Sequence, residues 1–191
     1  MADVTSAGEA PAPACIVRPI DKREASAYAE YVQVHIGQSG KNGMPVFAPG
    51  ARPGREEIRD NALARWSRTL TEPNWGRAWA LVRCRDGAIV GHIELRGGRI
   101  VPEMHRATLA MGILQAHTKQ GHGRRLMEAA LTWAREQPRI AWIDLGVFRD
   151  NTPARKLYER TGFVEVSTRE DAFRNEEGAS IDDVTMTLRI K

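Results

Sequence analysis

Near its start the chain alternates between apolar segments and residues that begin or interrupt helices. Residues 15–20 are mostly apolar and predict a short strand, and Asp21 can cap a helix over about 22–34. The next stretch, 37–54, contains five glycines and three prolines, which indicates a loop. Helical spacing of apolar residues returns over about 56–69, where a second helix is expected. The first third therefore predicts a strand, a helix, a long loop and a helix.

The apolar period changes to that of strands in the middle of the chain. Residues 77–84 (RAWALVRC) alternate, Asp86-Gly87 favours a hairpin turn, and 88–95 (AIVGHIEL) follow as the return strand. After a looser turn, residues 107–114 (ATLAMGIL) predict a third strand. Three antiparallel strands in succession are therefore expected.

A helix and a strongly apolar strand come next. Gly121 and Gly123 open a helix that Pro138 ends. Its predicted buried stripe recurs at helical spacing and consists of Leu126, Met127, Ala130, Leu131 and Ala134. Residues 140–148 (IAWIDLGVF) are nearly all apolar, which is typical of a strand covered on both faces.

The final elements are one helix and a pair of strands. Asn151 begins the helix and Gly162 ends it. Segments 163–166 and 184–190 predict an antiparallel pair around an acidic loop, 168–183.

The order of these elements predicts an α+β fold with a mixed, mostly antiparallel central sheet flanked by helices. Strands 107–114 and 140–148, which one helix joins, are expected to be parallel through a right-handed crossover. This β-α-β crossover is where a ligand site is expected.

Length and composition favour one domain. The chain has 191 residues, and we expect a disordered tail over 1–13 followed by a single domain over 14–191. Only two cysteines are present, Cys15 and Cys84, which argues against a disulfide framework and favours reduced thiols in the cytoplasm. No run of 18 or more apolar residues occurs, and the start of the chain lacks the apolar core of a secretory signal, so no membrane partner is expected.

The distribution of charge argues against binding to nucleic acid. The formal net charge is +4, and the sequence pI near 9.4 is in the range of nucleic-acid-binding proteins. However, no block of five or six basic residues occurs, and segment 165–183 carries seven acids against two arginines. Affinity for DNA depends on clustered phosphate contacts, so no nucleic-acid partner is expected.

The turn before the 121–137 helix has the composition of an anion-binding site. Glycines allow backbone N–H groups to approach a ligand closely, and a helix N-terminus favours anions. Lys119, Arg124 and Arg125 add positive charge. The segment matches neither the Walker A loop nor the dinucleotide fingerprint, because the third glycine position is Leu126. A diphosphate ligand is predicted, and two glycines that serve only as turn residues are the alternative.

Two motifs resemble the GCN5-related N-acetyltransferase (GNAT) superfamily. Residues 118–123 match its acyl-CoA signature R/Q-x-x-G-x-G/A, except that Thr118 stands in place of Arg or Gln. Residues 151–163 (NTPARKLYERTGF) match the superfamily's second motif, N-x-x-A-x-x-L-Y-E-x-x-G-F, nearly residue for residue. The resemblance covers roughly 14–190 and implies that acetyl-CoA binds with its diphosphate on the turn and its pantetheine arm along strand 107–114.

By this resemblance the predicted cofactor-binding residues lie on the third strand, in the turn and at the start of the following helix. They are Met111, Gly112, Ile113, Lys119, Gln120, Gly121, His122, Gly123, Arg124 and Asn151. Asn151 either caps its helix or also bonds the pantetheine arm.

Direct transfer of an acetyl group from a thioester to an amine needs a proton donor for the departing thiolate. Tyr158 occupies the position of the superfamily's general acid, and a phenol can protonate a thiolate. Packing in the core is the alternative for Tyr158, which shares a stripe with Leu157. Strand N–H groups near Ile113 are expected to stabilise the oxyanion.

The base that accepts the amine proton is less well defined. In the branch that acetylates ribosomal proteins a glutamate stands five residues before the motif asparagine, and here that position is Gly146. The remaining candidates are His92, Glu94, Glu103 and His105. Strand alternation places His92 and Glu94 on one face, and Glu94 is the predicted base. The alternative is that both side chains face solvent.

The sequence predicts an acetyl-CoA-dependent N-acetyltransferase that needs no metal, because its five histidines and two cysteines lack metal-ligand spacing. The acceptor is expected to be an amine of a small metabolite or antibiotic, with 37–54, 56–69 and 168–183 as the walls of its site. The alternatives are a protein N-terminus or lysine as acceptor, and a non-catalytic acyl-CoA-binding domain. Homodimers are common in the GNAT superfamily that the chain resembles.

Overall fold

The computed structural model describes residues 14–50, 53–175 and 177–191, so the predicted tail over 1–13 lies outside the described residues. The strands are β1 (Cys15–Pro19), β2 (Gly76–Arg83), β3 (Ile89–Gly97), β4 (Arg106–Ile113), β5 (Trp142–Phe148), β6 (Val164–Arg174) and β7 (Ser180–Arg189). The α-helices are α1 (Ala25–Gly37), α2 (Arg55–Trp66), α3 (His122–Glu136) and α4 (Thr152–Thr161). Short 3-10 turns occur at Lys22–Glu24, Val101–Glu103 and Gln115–His117.

The strands form one seven-stranded sheet in the order β1-β2-β3-β4-β5-β7-β6. The pair β4–β5, which α3 connects, is parallel, and the other neighbouring pairs are antiparallel. The predicted α+β class and the β-α-β crossover are therefore confirmed.

The parallel strands β4 and β5 are paired over only part of their length. Backbone pairing between β4 and β5 joins Arg106–Thr108 to Trp142–Asp144 and then ends, although both strands continue. Beyond this point β5 pairs with β7, and β4 pairs with β3. The facing edge of β4 over 109–113 is consequently left without a strand partner among the described residues.

Helices cover the two faces of the sheet with separate cores. On one face, α3 and α4 pack over the sheet, and the predicted stripe of α3 is fully buried. On the other face, α1 and α2 bury Tyr28, Tyr31, Ile58 and Trp66 against small residues of β2. No helix in the described ranges is both long and apolar enough to cross a membrane.

Local capping sets the helix ends close to where the sequence predicts them. Asp21 and Glu24 form a capping box, but the first turn is 3-10 and α1 begins at Ala25. Asn151 accepts a hydrogen bond from the Ala154 N–H, and Gly162 ends α4 with a φ of 98°, in the left-handed region that favours glycine.

Two structural predictions are wrong. Strand β5 is not covered on both faces: Ile143, Leu145 and Val147 are buried, while Gly146 between them is exposed. The acidic segment 168–183 is not a loop, because β6 and β7 extend as a hairpin across most of it. The charged residues of β6 lie on a mostly exposed edge strand, so they lack the apolar alternation that would have revealed a strand.

Candidate functional site

The site is built where β4 and β5 separate and the glycine turn meets the end of β4. Gly123 lies so close to its neighbours that an added Cβ would be 2.9 Å from Leu157 Cδ2 and 3.7 Å from Met111 Cε. A side chain at this position would therefore displace the end of the Leu157 side chain. The second glycine of the motif allows α3, β4 and α4 to pack closely at this point.

The turn itself presents backbone N–H groups in a geometry that suits an anion. Lys119 and Gly121 both have a left-handed backbone, with φ of 58° and 77°. Where left-handed residues alternate with right-handed ones, successive N–H groups point toward one position and can bind an anion. Gly121 is also the N-cap of α3, so the N-terminus of that helix faces the same position. Thr118, which stands where the resemblance expects Arg or Gln, donates its hydroxyl to the Gln115 carbonyl at 2.8 Å and so fixes the preceding turn.

The open edge of β4 is backed by a histidine from α1. An added Cβ on Gly112 would lie 2.2 Å from His35 Nε2, so only glycine fits there. The His35 ring stacks between Tyr31 and Phe47, with ring centroids 6.0 and 4.4 Å away. Phe47, from the segment that follows α1, therefore covers this part of α1 beside β4. Burial lowers the pKa of His35 to about 4.

His92 on β3 joins the same group of residues. The Tyr31 hydroxyl donates to the Gly112 carbonyl at 2.8 Å and lies 2.9 Å from His92 Nδ1. Because the single hydroxyl proton goes to the carbonyl, His92 Nδ1 is the donor in the second bond and Nε2 carries the free lone pair. Burial lowers the pKa of His92 to about 3, so the ring is neutral at physiological pH.

Glu94 is fully buried, with its carboxylate bound by several donors. Arg65 and Trp66 of α2 donate to it at 2.9 and 3.0 Å, and Arg96 donates at 2.8 Å. Burial favours the protonated form, but the guanidinium groups of Arg96 and Arg65 outweigh it and lower the pKa of Glu94. The prediction that His92 and Glu94 share one face of the sheet is confirmed. The alternative, that both side chains face solvent, is wrong, because both are buried.

The other two base candidates lie at the opposite end of β4. Glu103 accepts a hydrogen bond from the Arg99 backbone, and the exposed His105 contacts the Pro102 carbonyl, both before β4 begins. The structure therefore does not bring them together with Gly112 and the glycine turn.

Tyr158 lies on α4, one residue after the leucine that contacts Gly123. Its ring is buried beside Phe163, with centroids 5.9 Å apart, and belongs to the α3-side core. Burial raises the pKa of Tyr158 to about 12, so the phenol keeps its proton at neutral pH. Its packing in the core is confirmed, and its role as proton donor stays a prediction.

Residues that the sequence did not single out complete the site. Gln115 links the turn to the α1 side, since its N–H donates to Gln38 Oε1 at 2.9 Å and its amide donates to the Asn42 carbonyl at 2.6 Å. Tyr31 and His35 lie four residues apart on α1, a spacing that places both on one helix face. That spacing is the only sequence signal that pointed to them.

Known proteins resemble the chain in sequence and in fold. Residues 49–163 match the Acetyltransferase (GNAT) family. The L-amino acid N-acetyltransferase AaaT of Escherichia coli (strain K12) is 32% identical over 98 residues, which cover 51% of this chain and 60% of that protein. The chain thus spans less than two thirds of this relative. YycN of Bacillus subtilis (strain 168), an uncharacterized N-acetyltransferase, is 23% identical over 78% of this chain and 92% of its own length.

Solved structures share the fold. A GNAT-family acetyltransferase from Streptococcus pneumoniae superposes with a TM-score of 0.76 at 20% identity, over 92% of this chain and 99% of that one. The acetyltransferase yncA from Salmonella typhimurium, determined with acetyl-CoA, has a TM-score of 0.75 at 16% identity, over 94% and 95%. Together with the family match over more than half of its length, these findings place the chain in the GNAT family of acetyltransferases.

Proposed function

We propose that the protein transfers the acetyl group of acetyl-CoA to a primary amine of a small molecule. The observation that carries this proposal is the unpaired edge of β4 beside the glycine turn. An extended chain that contains amides can form hydrogen bonds with a free strand edge. A diphosphate attached to that chain can accept hydrogen bonds from the N–H groups of the turn. Acetyl-CoA has both parts, and the Salmonella relative of similar fold was determined with it.

The predicted cofactor-binding residues divide between these two parts of the ligand. Lys119, Gln120, Gly121, His122, Gly123 and Arg124 would surround the diphosphate. Met111, Gly112 and Ile113 would pair with the pantetheine arm from one side, and Asn151 would face it from the start of α4. The contact of Gly123 with Leu157 and Met111 supports this division, because it brings turn, strand and helix to one point.

In the proposed reaction the amine nitrogen attacks the thioester carbonyl carbon and the C–S bond breaks. Backbone N–H groups near Ile113 stabilise the oxyanion, and Tyr158 gives its proton to the departing thiolate. We place acceptance of the amine proton on His92, because its Nδ1 donates to the Tyr31 hydroxyl and its Nε2 therefore carries the lone pair. Glu94, the base predicted from the sequence, holds Arg65 and Trp66 instead, since these donors and Arg96 occupy its carboxylate.

The closed face of α1 supports a small acceptor over a peptide. Phe47 packs on His35 beside Gly112, so this side chain narrows the approach to the strand edge. The relative AaaT is named for L-amino acids as acceptors. Free amino acids and small amines are therefore the substrates to test first.

A thiol-release assay with acetyl-CoA and a panel of amino acids, small amines and N-terminal peptides tests this function. We expect turnover with members of the small-amine set. Tyr158→Phe should lower kcat by about a hundredfold without changing acetyl-CoA affinity, because it removes only the hydroxyl that donates the proton. Binding without turnover would indicate a non-catalytic domain, and faster turnover of peptides would overturn the acceptor class.

A further inference from the structure

Three potential metal ligands from distant parts of the chain meet behind the glycine turn. Cys15 is the first residue of β1, His117 ends the 3-10 turn before residues 118–123, and His122 begins α3. Cys15 Sγ lies 4.0 Å from His117 Nδ1, and one donor atom from each of the three residues lies within 4.8 Å of the others. Cys15 and His122 are buried, with 2% and 7% of their surface exposed.

His122 supplies a second observation that points to a ligand. Its Nε2 is buried and has no hydrogen-bond partner within residues 14–50, 53–175 and 177–191. Its other ring nitrogen lies 3.5 Å from Arg125 Nη1, at the limit of a hydrogen bond. Buried polar atoms are normally satisfied, so an unpartnered imidazole nitrogen within a group of donor atoms calls for a partner.

The chemistry of the donors selects the class of ion. The donor atoms that meet here are one thiol sulfur and one imidazole nitrogen from each of two histidines. One thiolate and two imidazoles form a donor set that favours Zn²⁺ and related borderline-soft cations over Mg²⁺ or Ca²⁺. In a tetrahedral zinc site the donor atoms lie roughly 3.3–3.8 Å apart, so the most distant pair would approach by about 1 Å.

We propose that Cys15, His117 and His122 bind a Zn²⁺-class cation next to the turn, with a fourth position open to water or another ligand. Binding converts the Cys15 thiol to a thiolate, forms one metal–sulfur and two metal–nitrogen bonds, and releases the thiol proton to solvent. No oxidation or reduction takes place. The long contact between Arg125 and His122 is given up, while Arg125 can keep its hydrogen bond to the Cys15 carbonyl at 3.0 Å.

The position of the ligands links the metal to the turn. His117 and His122 flank residues 118–121, so the ion ties both ends of this segment to β1. A turn that is fixed before the ligand arrives loses less conformational freedom on binding. We therefore expect bound Zn²⁺ to tighten the binding of acetyl-CoA about fivefold or more. This coupling rests on the proposed function, and the metal site itself does not.

Titration of the reduced, metal-free full chain with Co²⁺ tests the site through its absorption spectrum. We expect one equivalent to produce a thiolate-to-cobalt charge-transfer band that Zn²⁺ removes by competition. Cys15→Ser should abolish the band, and Cys84→Ser, which changes the exposed cysteine, should retain it. A band that survives Cys15→Ser, a band lost in Cys84→Ser, or no band at stoichiometric metal would overturn the proposal.

Two histidine variants keep the test decisive if Cys15→Ser does not fold. His117→Gln changes a partly exposed ligand and should weaken Co²⁺ binding at least tenfold, while the exposed His105→Gln should not. Equal affinities of these two folded variants would contradict the site.

Calorimetric titration with acetyl-CoA, with and without Zn²⁺, separates the site from its coupling to the turn. A cobalt band with no change in acetyl-CoA affinity would overturn the coupling and leave the metal site standing. A cobalt band with no acetyl-CoA binding at all would overturn the proposed function instead.

Discussion

The two faces of the sheet are built on different principles. The α3 side buries apolar side chains almost exclusively, and its helix stripe is fully excluded from solvent. The α1–α2 side buries His35, His92 and Glu94 together with two tyrosines. The apolar face holds the sheet together. The polar face places the neutral imidazole of His35 against Gly112 of β4. On the proposed function, this polar face would receive the acceptor amine.

Leu126→Ala should cause the largest loss of stability among the variants that compare the two faces. Leu126 is fully buried on the α3 side, and truncation leaves a cavity that costs about 3 kcal/mol. Urea unfolding monitored by circular dichroism measures this loss, which should be the same at pH 5 and pH 8 because no ionisable group is involved. Leu126→Met, which nearly conserves volume, should lose less than about 1.5 kcal/mol. A pH-dependent loss in Leu126→Ala would contradict the apolar surroundings assigned to Leu126.

On the polar face, His35→Phe should make the protein less sensitive to acid. The folded-state pKa of His35 is about 4, and its usual value is about 6.5. Between these values the unfolded chain binds a proton that the folded chain does not, so wild-type stability falls as the pH decreases. Removing this group should reduce the loss between pH 7 and pH 4 by up to about 3 kcal/mol.

Urea titrations at a series of pH values measure the effect of His35→Phe. His105→Gln, which changes an exposed histidine, serves as the control and should follow the wild type. Identical pH profiles for His35→Phe and wild type would mean that His35 is not buried in its neutral form.

Glu94→Gln should cost about 2 kcal/mol at pH 7, because Arg65 and Arg96 lose a charged hydrogen-bond partner. The folded-state pKa of Glu94 is lowered, so its stabilising effect is present above its usual value of about 4.3 and disappears as the pH falls through the lowered one. The difference from wild type should therefore shrink in acid. Glu128→Gln, on the exposed side of α3, should show no such difference. A cost that is constant from pH 7 to pH 3 would argue against the ion pairs.

Gly121→Ala should have the smallest effect on stability. No atom of the described residues lies within 4 Å of an added Cβ, so the left-handed backbone sets the cost, about 1 kcal/mol. Gly54→Ala is the matched control, because Gly54 is also an N-cap glycine with equal space but without a positive φ, and it should lose about 1 kcal/mol less in urea unfolding. Equal stabilities of the two variants would mean that the turn does not hold its left-handed conformation.

Local features were predictable from the sequence because neighbouring residues determine them. The α3 stripe, the Asp21 capping box and the ends of α4 follow from spacing and from single residues such as Gly162. The β6–β7 hairpin was missed because edge-strand pairing supports it without an apolar alternation.

Contacts across the chain were beyond sequence reasoning. Glu94 was predicted to be the base because the sequence did not show that Arg65, 29 residues away on another element, binds its carboxylate. Likewise, Cys15 and His117 are 102 residues apart, so counting spacings did not reveal that they meet. The paired sequence motifs still located the glycine turn and Tyr158, because each motif lies within one continuous segment.

Calorimetric titration of the folded chain with acetyl-CoA tests the central claim most directly. We expect one-to-one binding that Gly123→Val abolishes, because its side chain would separate the turn from Leu157 and Met111. Gly87→Ala, at a left-handed glycine in the turn between β2 and β3, should bind as the wild type does. Absence of binding by the folded wild type, or equal binding by the two variants, would contradict the assignment of the β4 edge and glycine turn as the acyl-CoA site.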